Sequence, residues 1–247
     1  MRKYFNLFYI LLLFISSCKS INSSNIALHV APSNVVLSFD DGPNPMNDTT
    51  ARLLDVLKKH EIIAAFSLLG TNVEKNPELV RRIYDEGHLI VNHGYSEKFA
   101  YKMGDKEFLE NLLMGETAIN NALGSSAWQC PKKYYRPHGG YYTPRQERIC
   151  QSAGYSILAC SIRVYDAVLT TKNKDKAVNK VVEKIEKQNG GFILLHDARD
   201  SQQRAERALE KHPESSFNRS WFPEAVEEII IALKARRFLF QTPRVLF

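Results

Sequence analysis

The sequence predicts an α/β fold built on a parallel sheet, and three observations support this prediction. Short apolar runs alternate with amphipathic helical patterns along most of the chain, as in strand–helix–strand units. A β-branched run over residues 35–39 stops at Asp40, Asp41 and a Gly-Pro turn, as a buried strand does. Polar residues follow several predicted strands, where α/β folds build their sites. The pattern alone allows a closed barrel or an open, doubly wound sheet.

Each predicted element has a local reason in the sequence. Short apolar runs rich in β-branched and aromatic residues predict strands at residues 35–39, 64–69, 89–92, 134–136, 156–160, 192–195 and 238–240. Apolar residues repeated on one side predict helices at residues 50–60, 76–86, 106–123, 144–153, 176–188 and 223–235. Pro77 in the first turn and Gly87 after the last turn mark the ends of the second helix. Gly124 ends the third helix.

The N-terminal residues are expected to be an export signal rather than part of the fold. Two basic residues precede an apolar stretch over residues 7–15, which is too short to span a membrane comfortably. Residues 15–18 read Ile-Ser-Ser-Cys and resemble the lipobox of bacterial lipoproteins. We therefore expect a signal peptide over residues 1–17, lipid on Cys18 and a polar tether over residues 18–33. The protein would then be exported and membrane-anchored, facing the periplasm or cell surface; a non-lipidated signal peptide and an uncleaved anchor are the alternatives.

Composition limits the remaining possibilities. Residues 34–247 suffice for one domain with a large core, and no internal repeat divides them. The formal charge of +6 includes two basic residues of the signal peptide, and no basic stripe is interleaved with aromatics, so nucleic acid is not an expected partner. Cys130, Cys150 and Cys160 could supply one disulfide in an exported protein, with the pairing open. We expect a monomer.

The adjacent carboxylates of Asp40 and Asp41 call for a chemical explanation. Two acids at the end of a buried strand repel each other and resist burial, so stability alone gives little reason to place them there. A bound metal ion or a general base gives such a reason, whereas a solvated acidic turn is the alternative. His93, Arg136 and His196 also follow predicted strands, so they would converge on the same end of a parallel sheet.

With these motifs in place, the chain resembles the NodB-type polysaccharide deacetylases of carbohydrate esterase family 4. Residues 39–43 match the first family motif throughout, residues 92–96 lie where the second belongs, residues 136–137 open the third, and residues 194–197 match the fifth. The resemblance extends over residues 34–240. It implies a distorted (β/α) barrel with fewer than eight regular strands, and metal-assisted hydrolysis of an N-acetyl, or sometimes O-acetyl, group on a sugar polymer.

The resemblance assigns roles to residues at the first three motifs. It implies that Asp41 and His93 are metal ligands and that Asp40 is the general base that takes a proton from water. Arg136 would hold Asp40 ionised and oriented through a charge-assisted contact. A metal ion would activate the water and polarise the carbonyl group.

The remaining roles fall on the fourth and fifth motifs and on the turn after Arg136. The resemblance implies that His196 is the general acid and that Asp166 is the carboxylate that tunes it. Backbone N–H groups near Gly139 could stabilise the oxyanion, and His138 and Tyr141 could contact the substrate.

The second motif departs from the family pattern, because Glu97 occupies the position of its second histidine. A ligand set of Asp41, His93 and Glu97 would be harder and more anionic than the usual one. The family implies zinc, and Glu97 would shift the preference towards manganese or cobalt. Alternatively, Glu97 faces solvent and is not a ligand.

The fourth motif and the chain after the fifth also depart from the pattern. Arg163 and Ala167 stand where the family has an aspartate and a tryptophan, which indicates a wider or differently shaped pocket. The polar segment over residues 198–221 is longer than the usual link. It could be a substrate-facing flap near His196 or a solvated helical excursion.

The sequence therefore predicts a metal-dependent hydrolase that removes N-acetyl groups from an N-acetylglucosamine-containing polysaccharide, either peptidoglycan or a chitin-like glycan. An O-acetyl polysaccharide esterase is a second enzymatic interpretation. A catalytically silent carbohydrate-binding relative is the third, and Glu97 and Ala167 are the residues that favour it.

Overall fold

The computed structural model describes the backbone of residues 19–20, and residues 31–124, 128 and 132–243. The expected signal peptide, Cys18, much of the tether and Cys130 lie outside the described residues. Cys150 and Cys160 are buried free thiols. None of the helices in the described part of the chain is long and apolar enough to cross a membrane.

The main sheet consists of parallel strands curled into a half-barrel, with eight strands among the described residues. They are β1 (Asn34–Asp40), β2 (Ala65–Leu68), β3 (Leu89–Asn92), β4 (Lys133–Tyr135), β5 (Tyr155–Ile157), β6 (Ile162–Arg163), β7 (Gly190–His196) and β8 (Leu239–Phe240). Their order is β5-β4-β3-β2-β1-β7-β6, and β8 pairs with the start of β1. Because all eight are parallel, their carboxyl ends form one rim. A short strand, Lys19–Ser20, pairs antiparallel with Tyr141–Tyr142 outside this sheet.

Helices cover the outside of the half-barrel. They are α1 (Thr49–Lys59), α2 (Gly70–Lys75), α3 (Pro77–Asp85), α4 (Asp105–Leu123), α5 (Pro144–Ser152), α6 (Lys174–Gln188), α7 (Gln202–Lys211) and α8 (Phe222–Ala235). The six helices expected from the sequence are present, and their ends differ from the predicted ones by at most two residues. The sequence did not predict α2 and α7, because a six-residue helix shows too little of the helical period and α7 lies in a polar segment.

The central strand β1 has two buried faces, and their alternation directs the site. Val35, Leu37 and Phe39 pack in the main core with the helices. Val36 faces the other way, into a smaller core that lines the inside of the half-barrel. Asp40 lies on the same face as Val36, since side chains of a strand alternate. Its carboxyl group therefore points into the half-barrel, above this inner core.

Candidate active site

The structure brings the predicted polar residues together at the carboxyl rim. Asp40 is the last residue of β1, and it is paired in register with His196, the last residue of β7. His93 follows β3 and Arg136 follows β4. All four line one cleft of about 490 Å³.

Asp40 is held by a buried arginine. Arg136 Nη1 donates a hydrogen bond of 2.5 Å to Asp40 Oδ1, and both side chains are almost completely buried. The same nitrogen lies 3.0 Å from Ser38 Oγ, and Arg136 Nε donates to the carbonyl oxygen of Leu158 at 3.3 Å. A guanidinium held at several points fixes the orientation of the carboxylate it contacts. The contact between Arg136 and Asp40 that the resemblance implied is therefore present.

Asp41 leaves the strand in the left-handed backbone region, at φ +71°. This conformation is uncommon for a residue with a side chain, and it turns the second carboxylate away from the strand direction. Asp41 Oδ1 lies 3.2 Å from His93 Nε2 and 3.4 Å from His138 Nδ1. Among the described residues, Asp41, His93 and His138 form the group whose donor atoms could hold a metal ion, all within 4.8 Å of one another.

In both imidazoles of this group, one ring nitrogen faces Asp41 and the other contacts an oxygen atom of another residue. His93 Nδ1 donates to the carbonyl oxygen of Arg136 at 2.7 Å. His138 Nε2 lies 3.5 Å from Asp200 Oδ1. His138 Nδ1 is buried without a hydrogen-bond partner. Outer contacts of this kind select the ring nitrogen that binds a metal ion, so the donor set fits a divalent cation.

The charges of this group are strongly coupled. Burial would raise the pKa of Asp41, but its contacts with His138 and His93 hold it well below its usual range. Burial would likewise lower the pKa of His138, but the carboxylates of Asp200 and Asp41 raise it to about 10. Without an ion, a proton on His138 neutralises these acids. A metal ion would therefore displace a proton when it binds.

Glu97 lies apart from the three grouped residues. Its side chain lines the cleft, and Oε1 accepts a hydrogen bond of 3.1 Å from Ser201 Oγ. The structure thus places His138, rather than Glu97, beside Asp41 and His93. His138, which the sequence analysis gave as a possible substrate contact, therefore lies with the candidate metal ligands.

His196 is paired with Asp166 as the resemblance implied. Its Nδ1 lies 2.9 Å from Asp166 Oδ1, and its backbone N–H donates to Asp166 Oδ2 at 3.0 Å. About 19% of the His196 side chain remains exposed, so it can reach a ligand in the cleft. Burial alone would lower the pKa of His196, but the charge of Asp166 and their hydrogen bond raise it to about 9. His196 is therefore a cation at neutral pH.

A residue that the sequence analysis did not single out supports this pair. Arg219 is fully buried and donates to Asp166 Oδ2 at 2.7 Å and to the carbonyl oxygen of His196 at 2.6 Å. Its guanidinium carbon lies 4.7 Å from the ring centre of Trp221 and 4.6 Å from that of Phe222. An arginine next to aromatic residues was the available signal, although it also fits a surface cation–π contact.

Asp200 was missed for a related reason. It lies in the segment 198–221, which the sequence left as a flap or a helical excursion. Besides its contact with His138, its backbone N–H donates to Asp41 Oδ2 at 3.1 Å. Residues 198–221 therefore contact the site at two places, through Asp200 and through Arg219. No local pattern in the sequence indicates the contact of Asp200, and the aromatic neighbours of Arg219 are an ambiguous signal for the other.

The chain after β1 is hydrogen-bonded to Asp197, the residue that follows His196. The hydroxyl of Thr50 donates to the buried carboxyl group of Asp197. Burial raises the pKa of Asp197 to about 7. A Cβ at Gly42 would lie 2.7 Å from an oxygen of this carboxyl group, so a side chain there would displace it. The side chain of Asn44 also donates to the carbonyl oxygen of Asp197 at 2.9 Å, so Asp197 holds the segment that follows Asp41.

Phe99 lines the cleft and belongs to a row of packed aromatic side chains. Phe99 stacks on His138 at 5.5 Å between ring centres, and Tyr101 stacks on Phe99 at 5.7 Å. Tyr141 packs edge-on against Tyr101, is 45% exposed and lies outside the lining of the cleft. Gly139 lines the cleft.

The half-barrel and its rim of carboxylates, imidazoles and a buried arginine define a hydrolase-type active site. The sequence profile of the polysaccharide deacetylase family matches residues 29–158, slightly more than half of the chain. The chain therefore belongs to the polysaccharide deacetylase family, and it is a hydrolase of that class.

Three similar proteins illustrate this membership. A peptidoglycan-N-acetylglucosamine deacetylase of Bacillus cereus is 28% identical over 177 residues, which cover 72% of this chain and 78% of that protein. The solved peptidoglycan N-acetylglucosamine deacetylase Bc1960 is 29% identical with a TM-score of 0.69, and the alignment covers 87% of this chain and 88% of that one. An acetyl xylan esterase of Clostridium thermocellum, solved with cobalt, is 26% identical with a TM-score of 0.67, covering 86% and 89%.

Proposed function

We propose that this protein removes N-acetyl groups from an N-acetylglucosamine-containing polysaccharide in a metal-dependent hydrolysis, with peptidoglycan strands as the substrate. The observation that carries the proposal is a pair of supported groups in one cleft: Asp40 held by Arg136, and His196 held by Asp166. Amide hydrolysis requires both a base for the water and an acid for the leaving amine. Two of the similar proteins are named for this reaction on peptidoglycan.

In this proposal Asp41, His93 and His138 hold the ion, in place of the set with Glu97 that the sequence suggested. The unpartnered Nδ1 of His138 and the outer contacts of both imidazoles support this assignment. One carboxylate and two imidazoles suit zinc. Glu97 was the reason to consider manganese or cobalt, so its hydrogen bond to Ser201 favours zinc. A divalent ion in such a site supplies Lewis acidity for the water and the acetyl carbonyl group.

The protein's own residues move the protons. Asp40 accepts a proton from the water whose oxygen adds to the carbonyl carbon. His196, which is protonated at neutral pH, donates a proton to the amide nitrogen as the C–N bond breaks. The products are acetate and a free amino group on the sugar. Backbone N–H groups near Gly139 would stabilise the negative charge that develops on the carbonyl oxygen.

A second candidate is hydrolysis of an O-acetyl ester on a plant polysaccharide. The likeness to an acetyl xylan esterase supports it, and the same catalytic groups would serve. The rival from another class, a silent carbohydrate-binding protein, has no need for a base, its supporting arginine, an acid and its carboxylate together.

Metal content and acetate release test the proposal together. We expect one ion per chain after loading with zinc, and loss of that ion in His93→Ala. The loaded protein should release acetate faster from peptidoglycan strands or N-acetylglucosamine oligomers than from acetylated xylan. Faster release from xylan would favour the esterase, whereas neither binding of an ion nor release of acetate would favour the silent relative.

We also propose that the protein is exported as a monomer and anchored through lipid on Cys18. The Ile-Ser-Ser-Cys sequence supports this proposal. Cys18→Ser should move the full-length protein out of the detergent-soluble membrane fraction or block its maturation. An unchanged distribution and an unchanged mature mass would contradict lipid anchoring.

A further inference from the structure

Arg163 is a cleft arginine without a carboxylate partner among the described residues. It ends β6 and is paired in register with Leu194, two positions before His196. Its side chain lines the cleft, and its Nε is buried without a hydrogen-bond partner. The partners of the other cleft arginines are Asp40 for Arg136, Asp200 for Arg204 and the Ser216 hydroxyl for Arg199.

The neighbouring backbone is shaped to accept this side chain. The guanidinium lies against Gly140, and a Cβ at that position would be 2.9 Å from Arg163 Cζ. Its contact with the Gly140 carbonyl oxygen is a long one, at 3.5 Å from Nη2. Gly140 lies two residues after His138, and Arg163 lines the same cleft as the candidate metal ligands. The cleft therefore holds an uncompensated positive charge beside the proposed reaction centre.

The positive charge of Arg163 in the cleft indicates that the molecule bound there carries an anionic group. Arg163 lines the cleft, and among the described residues its terminal nitrogens have only the long contact with the Gly140 carbonyl oxygen, so their planar fork is available to a carboxylate.

We propose that Arg163 binds a carboxylate of the glycan, so that the cleft prefers an acidic polysaccharide to a neutral one. This inference rests on the proposed function, because it assumes that the cleft binds a glycan. Peptidoglycan strands freed of peptide carry a lactyl carboxylate on alternate sugars, which makes them a suitable acidic probe. The same strands with methyl-esterified carboxyl groups are the neutral probe.

Binding to the chelated, metal-free protein measures the preference without turnover. We expect the full chain to bind the acidic strands roughly tenfold more tightly than the esterified strands, as a hydrogen-bonded charge pair contributes. Arg163→Gln should abolish this preference, and Arg163→Lys should retain part of it. Arg207→Gln, a change at an exposed arginine of α7, should retain all of it.

Two results would overturn the inference: equal binding of both probes by the unmodified protein, or a preference that survives in Arg163→Gln, including the case in which that variant weakens both probes equally. Acetate release by the zinc-loaded protein is a separate readout. Its absence would count against the proposed function, while the binding measurement would still decide the role of Arg163.

Discussion

Asp40 and Asp41 are adjacent in sequence but have different surroundings. Asp40 ends a strand and contacts Arg136, whereas Asp41 has a left-handed backbone and contacts two imidazoles. A regular strand would point adjacent side chains to opposite faces, whereas the left-handed backbone at Asp41 leaves both carboxylates in the same cleft. Their different partners let one accept a proton while the other binds a cation.

Replacing Asp40 tests whether this residue is the base while Asp41 binds the metal ion. Asp40→Asn should reduce kcat by at least about 10²-fold, because the amide cannot accept the proton from water. Zinc stoichiometry should stay unchanged, since Asp40 is not among the proposed ligands. Acetate release and metal content are the measurements, with the exposed Asp85→Asn as the matched control. Activity that survives in Asp40→Asn would exclude Asp40 as the base.

The pH dependence of catalysis follows from His196. Its pKa of about 9 in the folded protein lies above the ordinary value of 6.5. The acid is therefore present at neutral pH, and kcat should fall as pH rises through about 9. The stabilisation from its pairing with Asp166 should be complete below pH 6.5 and lost over the same rise. Asp166→Asn should move the basic limb of the rate profile towards 6.5, and an unmoved limb would assign it to another group.

The choice between His138 and Glu97 as the third ligand is also a prediction about single residues. His138→Ala should weaken zinc binding by at least about 10-fold, because it removes a direct donor. Glu97→Gln should change the affinity by less than about threefold, as it keeps a hydrogen-bond acceptor for Ser201. Competition with a chromophoric chelator measures both. The opposite ranking would restore the ligand set suggested by the sequence.

The site residues at the ends of strands could be predicted from the sequence, but the third candidate metal ligand, His138, could not. Asp40, Asp41, His93, Arg136 and His196 each follow a recognisable apolar run, and parallel strands bring their ends together. His138 lies in a turn, and its orientation depends on Asp200, which is distant in sequence. Glu97 stands where the family has a histidine, and His138 is the proposed ligand in its place. This exchange can be recognised only when the positions of both residues in the fold are known.

At the scale of elements, the segment between β7 and α8 contacts the site through Asp200 and through Arg219. Arg219 and Asp200 lie at its two ends, with α7 between them. Arg219→Leu should destabilise the protein by about 3–5 kcal/mol, because it leaves Asp166 as a buried charge without its arginine. Arg207→Leu on the exposed face of α7 should cost less than about 0.5 kcal/mol. Denaturant unfolding measures both, and equal effects would mean that the segment is only a surface excursion.

At the scale of the whole molecule, the fold was more predictable than the site. The alternation of strands and helices reflects local hydrophobic periodicity, which one sequence contains in full. The strand order and the curl of the sheet depend on packing between distant elements, and the resemblance to a known family implied only that the sheet forms a distorted barrel. The contacts of Arg163 with Gly140 and of Arg219 with Asp166 depend on that packing, so the sequence did not indicate them.

A metal ion should stabilise the whole half-barrel, because its proposed ligands follow three different strands. Asp41 follows β1, His93 follows β3 and His138 follows β4, so one ion would connect the rim across the sheet. Zinc at 100 times its dissociation constant should raise the free energy of unfolding by about 2.7 kcal/mol, provided that it binds only the folded chain. Thermal unfolding with and without zinc measures the effect. The shift should disappear in His93→Ala and persist in Glu97→Gln. A shift of equal size in His93→Ala would mean that zinc binds elsewhere on the protein.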